Sequence, residues 1–125
     1  MIKLVYAIRR RPDFTPEAFR KRWLEHGPLV RDAARAIRAR RYVQSHTLDT
    51  PLNAVLAASR GMGEAFDGIT EVWWDSMDEI VAGLEDPASR DAQIRLLEDE
   101  RKFIDLEKSF VFLTEEHSIF DFSGK

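Results

Sequence analysis

The sequence predicts an α+β domain: one four-stranded antiparallel sheet with its helices packed on one face. Three observations predict it. Four short segments carry β-branched and aromatic residues in period-2 alternation. Between them lie stretches with helical apolar spacing, each opened by a cap-and-proline or capping-box signal. The order is strand, helix, strand, small helix, strand, helix pair, strand, which is the split βαβ, ferredoxin-like plan. Right-handed crossovers then put the helices on one side of the sheet.

Ile2 to Arg9 is the first expected strand, apolar on both faces in its middle, as a central strand requires. Thr15-Pro16 supplies an N-cap and a proline at the first helical position. The helix is expected to run to about His26, with Phe19, Trp23 and His26 on one face, and to stop at Gly27-Pro28. A second helical stretch follows from Leu29 to Arg38. Arg40 to Asp49 is the second strand, with Tyr42, Gln44, His46 and Leu48 on one face. Thr50-Pro51 opens a short helix, Leu52 to Arg60, closed by Gly61-Met62-Gly63. This insertion is expected to border a pocket mouth and to move more than the sheet.

Asp67-Gly68 is a turn, and Ile69 to Trp74 is the third strand. Ile69, Glu71 and Trp73 alternate with Thr70, Val72 and Trp74, so each face carries an indole. Ser76-Met77-Asp78-Glu79 matches a capping box, and Met77, Ile80, Val81 and Leu84 form the stripe behind it. Asp86-Pro87 starts a further helix with Ala92, Leu96 and Leu97 inward. Its charged run, Glu98 to Lys102, reads as a solvated face. Phe110 to His117 is the fourth strand, with an extension toward Phe122 left open.

Composition bounds the rest. The chain has 125 residues, 44% hydrophobic and 33% charged, enough for one domain over 1–125 and one core. It has no cysteine, which excludes disulfides and thiolate chemistry. No apolar run nears the ~20 residues that span a bilayer, and no signal-peptide pattern opens the chain, so a cytoplasmic protein is expected. The net charge of −3 hides an asymmetry: residues 1–62 hold 13 basic and 5 acidic residues, and residues 63–125 hold 6 and 17. One folded domain brings these halves together, so nucleic acid is not the expected partner.

The helix-covered plan leaves one apolar sheet face open. Such a face does not stay in water, so two subunits are expected to meet sheet to sheet as a dimeric α+β barrel. His46, beside Tyr42 and Gln44, is the leading acid–base candidate, because imidazole exchanges protons near neutral pH. The face it shares with them is assigned to the barrel interior. A core histidine satisfied by a neighbouring acceptor is the competing reading. Glu71, a carboxylate among large apolar residues, is expected to orient His46 or to act as a base itself; the competing reading is a buried ion pair with an arginine such as Arg9 or Arg41. Tyr42 is the expected hydrogen-bond donor. Trp73, Tyr6, Gln44 and Phe112 are expected to touch the substrate. His26 is assigned to the C-terminus of its helix, and His117 decorates the last strand. No histidine pair has metal-ligand spacing, and no glycine-rich phosphate loop or nucleophile elbow occurs, so neither metal nor cofactor is expected.

Phe19 to Leu29 (FRKRWLEHGPL) resembles the F-x-x-x-W-x-x-H-G-P-L signature of EthD domains. Tyr42 to His46 is similar to their second-strand motif, and Asp67-Gly68-Ile69 through Trp73-Trp74-Asp75-Ser76 to their third strand and cap. The segment from Glu100 to His117 adds to the likeness. The resemblance implies a ferredoxin-like domain that dimerises into an α+β barrel, akin to muconolactone isomerases, polyketide cyclases and small cofactor-free monooxygenases. It implies cofactor-independent chemistry on a small hydrophobic, aromatic or carbonyl-bearing compound in catabolism or secondary metabolism. An oxidoreductase of monooxygenase type and an isomerase, cyclase or decarboxylase both stay open. The alternative is a non-catalytic accessory or ligand-binding protein that supports an oxygenase system.

Overall fold

A computed structural model describes residues 1–124. The elements are β1 (Ile2–Ile8), α1 (Pro16–Ile37), β2 (Arg41–His46), α2 (Pro51–Ala58), β3 (Gly68–Trp74), α3 (Met77–Glu85), α4 (Pro87–Glu100), a 3₁₀ turn (Leu106–Lys108) and β4 (Phe110–Glu115). The sheet order is β2-β3-β1-β4, and all three pairings are antiparallel. This is the expected ferredoxin-like α+β fold.

Register decides the faces. Tyr6 stands opposite Thr70 on one side and Val111 on the other, and Thr70 stands opposite Gln44. These residues, with Leu4, Ile8, Val72, Trp74, Tyr42 and His46, form the face beneath the helices. Lys3, Val5, Ala7, Val43, Ile69, Glu71, Trp73, Phe110 and Phe112 form the other face.

The largest difference from expectation is α1. It runs unbroken from Pro16 to Ile37, through Gly27 and Pro28. Proline inside a helix costs about 3 kcal/mol because it removes one N–H and crowds the carbonyl four residues back. Here that carbonyl belongs to Leu24, which is 61% exposed, so water can serve it. The opposite face holds the helix together: Phe19, Trp23, His26, Val30, Ala33 and Ile37 recur every three or four residues, and all are buried. Arg38, in the left-handed region at φ 64°, ends the helix. His26 is therefore a mid-helix residue on the inner face, and its assignment to a helix end is corrected.

Two clusters fill the space between sheet and helices. Ile8, Phe19, Trp23, Phe103 and Ile104 form one; Val30, Ala33, Ile37, Ala92 and Leu96 form the other. Gly68 admits the Trp23 ring to its α-carbon; a β-carbon there would overlap the ring. Trp74 Nε1 donates to the Ile37 carbonyl at 2.7 Å, which ties β3 to the end of α1. After α4 the chain pairs back onto the end of β1: Arg11 N–H donates to Phe103 O at 3.0 Å, and Asp105 N–H to Arg9 O at 2.9 Å. That pairing sets the last turn of α4 above Tyr6.

Other boundaries shift less. β2 ends at His46, three residues early, and β4 ends at Glu115 without the extension toward Phe122. α2 buries none of its residues: Leu52, Val55 and Leu56 are all exposed. The stripe expected on α3 is also open, with Met77, Val81 and Leu84 exposed and Gly83 its one buried residue.

Candidate active site

A cavity of about 460 Å³ lies between the helices and the covered sheet face. Its walls are mostly apolar, with Leu4, Val30, Val72, Trp74, Leu96 and Ile104 among them. That volume suits one small molecule. Polar groups enter it from both layers. Tyr6, Tyr42 and Thr70 rise from the sheet, and His26 and Glu100 descend from α1 and α4.

His26 and Glu100 belong to one connected chain. Arg22 forms an ion pair with Asp99 across the α1–α4 seam. Asp99 Oδ2 lies 2.7 Å from His26 Nδ1. The carboxylate thereby claims the Nδ1 proton and leaves the Nε2 lone pair free. His26 Nε2 stands 3.8 Å from Glu100 Oε2. Tyr6 closes the chain by donating its hydroxyl to Glu100 Oε1 at 3.1 Å. Phe103 packs its ring edgewise on His26 and under the Arg22 guanidinium, which restrains both.

The environment sets the protonation states. Burial pushes Glu100 up to about 7; the Asp99 charge adds to the rise, and the Tyr6 hydrogen bond opposes it. Burial pushes His26 down, against the pull of Asp99. Burial works to raise Asp99, but its bonds to Arg22 and His26 outweigh that and hold it below its usual range. Burial and the nearby Glu100 carboxyl raise the Tyr6 phenol. Near neutrality the site therefore holds a neutral imidazole beside a carboxyl group poised to give or take a proton.

The residues singled out in the sequence divide. Tyr6 and Tyr42 line the cavity. Gln44 shares their face but turns away, donating to the Trp23 carbonyl at 2.9 Å and to the Tyr42 hydroxyl at 2.8 Å. That leaves the Tyr42 O–H proton free to donate. His46 lies behind Trp23, stacked on its indole with centroids 4.3 Å apart, and its Nε2 is 2.7 Å from Gln44 Oε1. Burial and the charge of Arg20 lower its pKa. It does not line the cavity, and its face is the helix-covered one, which corrects the expected barrel-interior position. Glu71 lies on the opposite face, with Lys3 Nζ at 2.8 Å. His46 and Glu71 are thus not brought together: Glu71 pairs across from Val43, one step out of phase with His46. The buried-pair reading of Glu71 is nearer, but the partner is Lys3 in place of Arg9 or Arg41. Trp73 and Phe112 are also on that outer face. Trp73 packs under Lys3 and Arg41 and donates Nε1–H to Glu116 at 3.0 Å. Phe112 is 54% exposed. The α2 insertion contributes nothing to the cavity lining, so its expected place at the mouth is corrected.

Asp99 and Glu100 were hidden in the charged run from Glu98 to Lys102. A signal for them existed. Ala92, Leu96, Asp99, Glu100 and Phe103 continue one helical stripe, so two of the acids fall on the buried side. His26 likewise continues the stripe of Phe19 and Trp23. Among the described residues, no three His, Asp or Glu side chains are grouped as a metal site would require, and no helix is long and apolar enough to cross a membrane.

No curated protein sequence matches this chain. Several solved structures share its fold. One is an ethyl tert-butyl ether D (EthD) family protein from Bacillus halodurans, 17% identical, covering 94% of this chain and 99% of that one at a TM-score of 0.61. Another is a dimeric protein of ferredoxin-like fold and unknown function from Bacteroides fragilis, 12% identical over 92% and 95% of the two chains, TM-score 0.57. A third is SnoaB, a cofactor-independent oxygenase from Streptomyces nogalater, 12% identical over 96% and 97%, TM-score 0.56. The profile of the EthD domain matches residues 11–107, more than half of the chain, and the protein belongs to the EthD domain family.

Proposed function

We propose that this protein is a small cofactor-independent enzyme that moves protons on a small hydrophobic compound held between its sheet and its helices. One observation carries the reading: an Asp99-held imidazole and a carboxyl group titrating near neutrality share one apolar cavity. The pair can remove a proton from a bound compound and return one elsewhere. Isomerisation, cyclisation and decarboxylation need nothing more. A substrate carbanion or phenolate formed this way can also react with dioxygen, and SnoaB, of the same fold, is described as a cofactor-independent oxygenase. His26 is the proposed base, Glu100 the acid, Tyr42 the hydrogen-bond donor to the substrate, Tyr6 the donor to Glu100, and Asp99 the positioning residue.

We also propose a homodimer. Val5, Val43, Ile69, Phe110 and Phe112 leave the outer sheet face apolar, and a relative of the same fold is described as dimeric. The proposed partners are a second copy of the chain and a small apolar molecule.

The acid–base reading is tested by hydrogen–deuterium exchange in D₂O. Apolar carbon acids such as indene, phenylacetonitrile and aryl ketones would be followed by NMR. At least one compound should exchange faster with the protein than in buffer, and His26→Gln should remove the acceleration. If compounds bind and none exchanges, the protein is a carrier or accessory subunit.

A further inference from the structure

We infer that the cavity is built for a 1,3-proton shift on a neutral enolisable ketone, in which His26 takes a proton from the α-carbon while Glu100 gives one to the carbonyl oxygen. The inference rests on the acid–base reading above and names its substrate class.

Geometry carries it. His26 Nε2 and Glu100 Oε2 stand 3.8 Å apart and belong to residues lining one cavity. Ordinary bond lengths put the α-carbon and oxygen of a ketone about 2.4 Å apart. One molecule can therefore present its C–H to the imidazole and its oxygen to the carboxyl group together. The other ligand classes fit worse. A hydrocarbon would offer no acceptor to the Glu100 carboxyl at Oε2, the oxygen that the Tyr6 hydroxyl does not bond, in a desolvated site. A carboxylate would bring a further negative charge beside Asp99 and Glu100, whose nearest cation, Arg22, is already paired with Asp99. A neutral molecule with one acceptor oxygen and an apolar body meets both the polar end and the walls.

The step balances within the site. The α-C–H bond breaks and its proton joins Nε2. The electron pair left on carbon forms the new C=C bond, and the C=O π pair moves to oxygen. That oxygen takes the carboxyl proton of Glu100. The ligand leaves as the enol, unchanged in charge and oxidation level. The protein is left with an imidazolium, stabilised by Asp99, and a carboxylate, stabilised by the Tyr6 hydroxyl. These two stand 3.8 Å apart, so a small approach returns the proton from Nε2 to Oε2. The acid and base reset each other without entry of solvent, and the reverse direction uses the same groups.

The probe is 2-tetralone, a neutral bicyclic ketone, with α-hydrogen exchange in D₂O read by NMR and binding read by quenching of Trp23 and Trp74 fluorescence. The expected result is acceleration by the wild-type protein, lost by a factor on the order of 10²–10⁴ in both His26→Gln and Glu100→Gln. Exchange of indene, which has no oxygen, should depend on His26 and change less than tenfold in Glu100→Gln. Should Glu100→Gln not fold, Glu100→Asp, which withdraws the acid by one methylene, should lose at least tenfold on the ketone. Ketone exchange at the wild-type rate in the Glu100 variant overturns the inference and leaves His26-dependent proton removal standing. So does a ketone that fails to bind, or binds without exchanging, while another carbon acid exchanges. Exchange unaffected by either variant, or absent for every compound, overturns both readings.

Discussion

Asp99 Oδ2 lies 2.7 Å from His26 Nδ1, and this contact joins α4 to α1 at the polar end of an otherwise apolar cavity. It fixes which ring nitrogen carries the proton and aims the other at Glu100. Asp99 does not itself line the cavity and acts through His26. Asp99→Asn should keep the fold and lower proton-transfer rates by a factor on the order of 10² or more, because an amide can hold the wrong tautomer. The check is a single-turnover exchange rate together with a histidine NMR titration. In the variant, His26 should titrate lower than in the wild type, since a carboxylate supporting its charged form is gone.

Glu100 makes stability fall with rising pH. Its carboxyl titrates at about 7 in the folded chain, against an ordinary 4.5. A raised acid pKa means the folded state holds the proton more tightly, so its contribution is full below about 4.5 and lost as pH rises through about 7. The shift corresponds to roughly 3 kcal/mol between these limits. His26, lowered from 6.5, acts in the opposite sense, losing stability as pH falls below that value. The difference between wild type and Glu100→Gln isolates the Glu100 contribution. Denaturant midpoints measured from pH 4 to 8 should show the variant gaining on the wild type toward pH 8.

Gly68 tests the close approach of β3 to α1. A β-carbon there would sit 2.4 Å from Trp23 Cζ3 and 2.7 Å from the Ser45 carbonyl oxygen. Neither can withdraw easily, since Trp23 is held between Phe19 and the His46 ring. Gly68→Ala should cost about 1–3 kcal/mol of overpacking, read as a lower urea midpoint at unchanged slope.

His46 should matter to stability and less to chemistry than His26. His46→Ala removes the ring stacked on Trp23 and leaves Gln44 Oε1 without its 2.7 Å partner. About 1–2 kcal/mol of stability should be lost. Its effect on turnover, passed through Trp23 and through Gln44 to Tyr42, should be smaller than that of His26→Gln. A larger effect than His26→Gln in the exchange assay would return His46 to the centre of the site.

The outer sheet face predicts a dimer. Sedimentation should give about twice the 14.5 kDa of one chain at micromolar concentration. Phe112→Asp, placing a charge on an exposed apolar position of that face, should shift the mass toward the single chain.

Much of this molecule is legible in its residues. The alternation of Ile2 to Ile8 and of Ile69 to Trp74, the Thr15-Pro16 and Asp86-Pro87 caps and the Ser76 capping box act over a few residues, and local rules read them well. The order of strands and helices then leaves few topologies. The tertiary structure decided what local rules leave two-valued. β2 and β3 mix apolar and polar residues on both faces, so alternation groups Tyr42 with His46 and Ile69 with Glu71 but does not say which group meets the helices; the pairing register sends Glu71 to Lys3 and His46 to Trp23. Gly27-Pro28 reads as a stop because its cost is local, whereas the burial of Val30, Ala33 and Ile37 that overrides it exists only after packing. Asp99 and Glu100 look like solvated charges until α4 crosses α1, where Arg22, His26 and Tyr6 supply the partners that make their burial tolerable.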